Sequence, residues 1–270
     1  MPAIEFSRLR TKIELLGKVY DQPEQFLKDL NDLFFFYSDL TFPANSNRGA
    51  AVTTLRSYRV PAVINRELEK MLSTKASTQP LETLNIVDQL WQTKIHEACL
   101  LASALLGSLP VTYAEETLKR IETWCTANER AELIELLLTN GSATLRRENE
   151  ALWTKKISDW LHSHDRSMQH TAIMGLQPLL NDERFINLPV VFDLLYPVML
   201  NPDPHLVQIL LQTVELLQKR SEPETVYFLK QVISQSKSED LPRFIRRATP
   251  SFSESAQESL KNALRKTLTR

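Results

Sequence analysis

The side chains able to do chemistry in this chain are four tryptophans, two cysteines, five histidines and a scatter of carboxylates. Few of them stand at a reactive spacing. His96-Glu97 opens like the zinc-protease run HExxH, but the run reads HEACL, and Leu100 takes the place of the second ligand. His96 and Cys99 are spaced to share a helix face. A tetrahedral zinc site needs further ligands, and none is near in sequence, so a packed helix is expected there and no metal or other cofactor. His162 and His164 flank Ser163 at a helix end, where an imidazole interacts favourably with the last carbonyls. The patterns GxSxG, GxxxxGK[ST] and GxGxxG are all missing, which removes support for a hydrolase elbow, a nucleotide P-loop and a dinucleotide fold. Glu97 falls among Ile95, Cys99, Leu100 and Leu101. An unpaired buried charge is too costly, so its carboxylate is expected to meet a helix N-terminus or a basic side chain.

Trp91, Trp124, Trp153 and Trp160 are first read as core packing, because a large aromatic at helical spacing most often fills space between helices. Trp91 sits on a stripe with Ile86 and Leu90, and Trp160 on one with Ile157 and Leu161. Trp124 is ambiguous. It opens the run WCTAN where the chain turns, so it faces either a core or a groove. The basic pairs Arg146-Arg147, Lys155-Lys156 and Arg246-Arg247 are candidate phosphate contacts, and each reads equally well as a solvated helix face.

These residues have to be positioned by helices. Periodicity near 3.6 dominates the chain, and no convincing alternating strand appears. Helices are expected over residues 4–20, 21–37, 61–72, 80–92, 93–107, 113–127, 129–139 and 144–163. They continue over 167–180, 190–200, 205–220, 223–235, 241–247 and 253–268. Asp21 is a candidate N-cap, and Asn140-Gly141, Asn181-Asp182 and Asn201-Pro202 supply stops. Residues 41–58 form the longest irregular stretch, a loop of the length that usually serves function or motion. Short links and about 30 to 45 residues per hairpin match a HEAT- or armadillo-type solenoid, although no strict motif recurs. The expected fold is all-α, an α-α superhelix forming a single domain over residues 1–270.

Composition agrees with a soluble cytoplasmic protein. Five glycines in 270 residues argue against phosphate loops and tight hairpins, and two cysteines make no disulfide framework. No run approaches a membrane span or a signal-peptide core. A net charge of -1 counts mildly against nucleic-acid binding, although residues 239–270 carry a local surplus of +3.

The run LRSYRVPAVINRELEKML, followed by LWQTKIHEACLLASALLG, resembles the bacterial DNA alkylation repair family, in its AlkD-like branch. The blocks WLHSHDRSMQHTAIMGLQPLL, PETVYFLKQV and LPRFIRRATPSF resemble that family's C-terminal half, so the resemblance spans about residues 55–268. It implies a curved HEAT-like solenoid whose concave basic face grips duplex DNA. In active members two tryptophans and an aspartate surround an alkylated nucleotide. Tryptophan faces attract the cationic sugar, and a carboxylate stabilises its developing charge. On this chain the first tryptophan matches Trp124, the aspartate falls on Asn128, and an acidic residue falls on Cys125. A DNA-gripping arginine falls on His170, and the second tryptophan falls near Thr213.

The resemblance therefore implies a monomer that binds duplex DNA without a cofactor. Trp124 and Asn128 mark its catalytic positions, and excision is weak or absent. Arg146, Arg147, Lys155, Lys156, His170, Thr213, Arg246 and Arg247 are its candidate DNA contacts. Two alternatives stay open: a protein–protein scaffold, and an active alkylpurine DNA glycosylase using a carboxylate such as Glu129 or Glu132.

Overall fold

The computed structural model describes residues 5–38, 55–126 and 129–268. Among these residues there are fifteen α-helices and no strand, so the expected all-α class is found. The described residues pack into two compact units, Met1–Trp124 with Asn128–Glu150, and Cys125–Ala127 with Ala151–Arg270.

The N-terminal unit holds α1 (Phe6–Lys18), α2 (Pro23–Tyr37), α3 (Ala62–Thr78), α4 (Pro80–Gln92), α5 (His96–Leu106), α6 (Ala114–Trp124), α7 (Ala131–Leu136) and α8 (Ala143–Glu148). Four helices pack on the next but one, α1 on α3, α2 on α4, α3 on α5, and α5 on α7, and α4 packs closely on its neighbour α5. The sequence reason is a repeated apolar stripe, as in Leu9, Ile13 and Leu16 of α1 or Ile64, Leu68, Leu72 and Ala76 of α3. Each leucine or isoleucine of these stripes contributes about 1.5–3 kcal/mol when fully buried. The hydroxyls of Tyr20 and Thr83, 2.9 Å apart, satisfy each other inside this core.

The C-terminal unit holds α9 (Glu150–Leu161), whose first residue belongs to the N-terminal unit, α10 (Arg166–Asn181), α11 (Leu188–Leu200), α12 (Val207–Arg220), α13 (Glu222–Gln235), α14 (Leu241–Ala248) and α15 (Glu254–Leu268). The same next-but-one packing recurs: α10 on α12, α11 on α13, α12 on α14, and α13 on α15. Gly175 allows α9 and α10 to close up, because a Cβ there would lie 2.5 Å from Ile157 Cδ1. The Trp153 indole donates to the Gly175 carbonyl at 3.3 Å. At the end of α12, the Arg220 guanidinium donates to the carbonyls of Leu180, Asp182 and Phe185, tying down the α10–α11 connection.

Several local expectations are corrected. Asn140-Gly141 does not stop the preceding helix; the chain widens into a π turn over Leu137–Gly141 and breaks at Ser142. The expected helix 144–163 is two helices, divided at Asn149, whose φ of -143° leaves the helical region. The N-cap of α2 is Gln22, without a side-chain cap, where Asp21 was expected. Helix α3 runs on to Thr78, past the expected Leu72, because Ala76 still faces the core. Helix α5 starts at His96, later than the expected Thr93, because Lys94 adopts a φ of +54°. Of the 41–58 loop, residues 55–58 are described, and residues 41–54 lie outside the described residues.

Candidate functional site

Trp91 lies in the last turn of α4 and Trp124 ends α6, and the two indoles stack with centroids 4.7 Å apart and planes 9° from parallel. Trp91 is buried, as its apolar stripe predicts, and Trp124 is half-buried. Among the described residues the buried Trp91 indole nitrogen has no hydrogen-bond acceptor.

The turn after α4 shapes the rest. The Thr93 hydroxyl donates to the Leu90 carbonyl at 2.7 Å and accepts from the Ile95 amide at 3.2 Å. Between them Lys94 is held at positive φ, a conformation that costs a non-glycine residue about 1–3 kcal/mol and tends to collect at functional sites. The Lys94 ammonium lies 5.0 Å from the Trp91 ring centroid and is ion-paired with Glu129. Glu129 is the better shielded partner, its side chain 11% exposed against 44% for Lys94. Its second oxygen accepts from the Arg130 amide at 3.0 Å, at the start of α7. Two stacked indoles, a lysine and a carboxylate thus converge where three helices end or begin. Asn128, the position matched to the family aspartate, lies outside the described residues. Glu132 is half-buried in the first turn of α7.

Below the lysine, burial pushes the Cys99 thiol up to about 12, and the thiol faces the Trp91 carbonyl at 3.7 Å. Cys125 is buried as well, and neither cysteine forms a disulfide. The Glu97 carboxylate is paired, as its burial requires. Its donors are the Ser57 hydroxyl at 2.6 Å and the amides of Tyr58 and Val60 at 3.1 and 3.3 Å. They come from the extended approach to α3, one residue short of its N-cap Pro61, where a helix N-terminus or a basic side chain was expected. The Ser57 hydroxyl in turn accepts from the Arg59 amide, fixing Arg59 at a φ of +54°.

The remaining candidates separate by exposure. Arg146 spends one guanidinium nitrogen inside its own unit, on the carbonyls of Leu138 and Thr139, both at 2.9 Å, and on the Ser142 hydroxyl at 2.6 Å. It stitches the π turn to α8. Arg147 is exposed, with long bonds of 3.3 and 3.4 Å to Ala143 and Thr144. On α9, Lys155 is exposed, and the Lys156 ammonium lies 6.0 Å from the Trp160 ring. His170 on α10 is half-buried, and burial lowers its pKa. Thr213 has no exposed surface, and its hydroxyl donates to the Ile209 carbonyl within α12 at 2.9 Å, so it offers no atom to a phosphate. Arg246 and Arg247 are both exposed on α14. His162, as expected of an imidazole at a helix end, places Nδ1 2.7 Å from the Ser158 carbonyl.

One participant is missing from the sequence reading: Lys94 gave no signal, because its position depends on a positive φ.

Residues 53–196, just over half of the chain, match the family model of the DNA alkylation repair enzyme. The chain belongs to the DNA alkylation repair enzyme family. The matched segment includes both stacked tryptophans, Lys94, Glu129 and His170, and ends before Thr213, Arg246 and Arg247. No curated protein and no solved structure matches the chain. Membership of this repair family supports a DNA-repair-like function with DNA as substrate or partner. No single helix among the described residues is long and apolar enough to cross a membrane.

Proposed function

We propose that this member of the DNA alkylation repair family is AlkD-like. On this reading it is a cytoplasmic, monomeric, HEAT-like solenoid that binds duplex DNA and excises alkylated purines weakly or not at all. The observation that carries the reading is the occupancy of the tryptophan site by the protein's own charges. Tryptophan faces and a carboxylate suit a developing positive charge on a sugar. Here an ammonium, Lys94, already lies over Trp91 and is ion-paired with Glu129, while Trp124 has one face against Trp91. A substrate cation would have to displace a charge held at close range. Asn128, where the family places an aspartate, adds no full charge of its own. The next-but-one helix packing in each unit supports the repeat reading. Exposed Arg147, Lys155, Arg246 and Arg247 are the cations left for DNA phosphates, with His170 as a partly shielded contact.

One observation favours a second reading, the active glycosylase: the Glu129 carboxylate is at the tryptophan pair, as an unaligned catalytic carboxylate would be. Release of 3-methyladenine and 7-methylguanine from a methylated duplex separates the two. The wild-type protein is expected to release little, at least about 10²-fold less than a group-complete site, the usual cost of one lost charge-stabilising group. Asn128→Asp and Lys94→Met should each raise release. Robust wild-type release, abolished by Trp124→Ala and by Glu129→Gln, would sink the first reading and establish the second.

A further inference from the structure

Away from the tryptophan site, the C-terminal unit contains a cavity of about 150 Å³ where the start of α12 meets α14. Its walls are apolar: Phe244 and Pro202 are buried, and Val207 is half-buried. Pro204 extends the same wall outward. At the edge stand two arginines one helical turn apart, Arg243 and Arg247, with Asp240 as the carboxylate of the lining. Asp240 and Arg243 are 3.9 Å apart with side chains 55% and 82% exposed, a contact too solvated to hold the guanidinium in place.

Size and charge together narrow the ligand. An apolar cavity near this volume admits a benzene-sized ring. It lies well below the roughly 300–1,000 Å³ of sites for drug-sized molecules. A single six-membered ring matches this volume, and the pocket stays partly open to solvent beside Pro204 and Arg243. Two guanidinium groups against one carboxylate leave a net positive edge, and arginine pairs bind phosphate oxygens through forked, charge-assisted hydrogen bonds. A pyrimidine nucleotide combines these two features, one six-membered ring and a phosphate, joined through its sugar.

We propose that this cavity binds a pyrimidine nucleotide, with the ring against Phe244 and Pro202 and the phosphate between Arg243 and Arg247. The nucleotide is either free or the phosphorylated end of a DNA strand. The site requires no excision chemistry; it shares Arg247 with the duplex contacts proposed above, and binding of the free monophosphate stands or fails separately from duplex binding.

Isothermal titration calorimetry on the whole protein tests it with thymidine 5′-monophosphate, thymidine and inorganic phosphate as probes, and saturation-transfer NMR reads the ring protons of the two thymidine probes. The monophosphate is expected to bind at least about tenfold tighter than either fragment, since each fragment lacks half of the recognition. Arg243→Ala with Arg247→Ala should weaken it at least tenfold, and Val207→Trp should remove the ring signals while phosphate still binds. Arg243→Gln, at an 82% exposed side chain, supplies a variant that retains the fold. A 5′-phosphorylated oligonucleotide preferred tenfold over its hydroxyl-ended twin assigns the strand end. Equal binding of the two, with the monophosphate bound, assigns the free nucleotide. Monophosphate binding no tighter than inorganic phosphate, or unmoved by the arginine and valine variants, overturns the proposal.

Discussion

Trp124 lies flat against Trp91, the two ring centroids 4.7 Å apart. One ring is buried and the other half-buried, so the pair has a structural end and an open end. Trp91→Ala is expected to destabilise the protein by about 3–5 kcal/mol, the usual cost of emptying a buried aromatic position. Trp124→Ala should cost clearly less, because it removes a stacking partner worth about 0.5–1.5 kcal/mol and only part of a buried surface. Chemical denaturation of both variants checks this, and equal losses would mean that Trp124 is core.

The Glu97 carboxylate gathers three donors from residues 57–60, and it is buried. Hydrogen bonds to a charged group are worth about 1.5–3 kcal/mol each, and orphaned buried amides add their own cost. Glu97→Ala should lower stability by about 3 kcal/mol or more, with Ser57→Ala removing about 1.5–3 kcal/mol. A Glu97→Ala protein that melts like its parent would show that the 57–60 approach is held by something else.

Gly107 closes α5, and a Cβ there would lie 1.9 Å from the Asn140 carbonyl oxygen. Backbone cannot swing aside as a side chain can, and the Thr144 hydroxyl holds the Gly107 carbonyl at 2.6 Å. Gly107→Ala should therefore destabilise by at least the roughly 1–3 kcal/mol of core overpacking. Thermal unfolding of this variant beside Gly17→Ala, where a Cβ meets only Lys75 at 3.7 Å, provides the contrast.

Burial lowers the pKa of His170 in the folded protein. The unfolded chain therefore binds a proton first as pH falls, beginning near 6.5. The stabilising contribution is complete above that value and is lost as pH drops through the lowered folded-state pKa. His170→Gln should flatten the fall in stability between about pH 7 and pH 5. Identical pH profiles for the parent and the variant would remove the burial effect.

Arg246 and Arg247 are both exposed on α14. If each neutralises a duplex phosphate, replacing both by alanine should reduce the slope of log affinity against log salt by about 1.8. Thr213→Val should change nothing in DNA binding, since Thr213 has no surface. An unchanged slope in the double variant excludes α14 as a duplex contact.

The helices were legible because their apolar stripes repeat at helical spacing, as in Leu9, Ile13 and Leu16. The π turn was not, since Asn140-Gly141 carries a stop signal that tertiary packing overrides. The Arg146 guanidinium takes the carbonyls of Leu138 and Thr139, and Gly107 leaves room for that of Asn140, contacts that periodicity does not read. The site was half legible. Trp124 was singled out by its place at a turn, and Glu129 by being a nearby carboxylate. Lys94 depends on a backbone angle that no residue type announces, and the stacking of Trp91 needs two helix ends brought together. Thr213 shows the reverse limit, because a register matched along a sequence says nothing about which side of a helix faces outward.

Arg220 sets an order of events. Its acceptors, the carbonyls of Leu180 at the end of α10 and of Asp182 and Phe185 in the connection after it, were made some 35 to 40 residues earlier in the chain. During synthesis that connection leaves the ribosome well before the arginine does. Until Arg220 arrives, the Asp182 carbonyl has its local bond from the Phe185 amide, 3.0 Å away. The α10–α11 corner is thus completed retroactively, by a residue translated after it, and it gains its final rigidity only once α12 is in place.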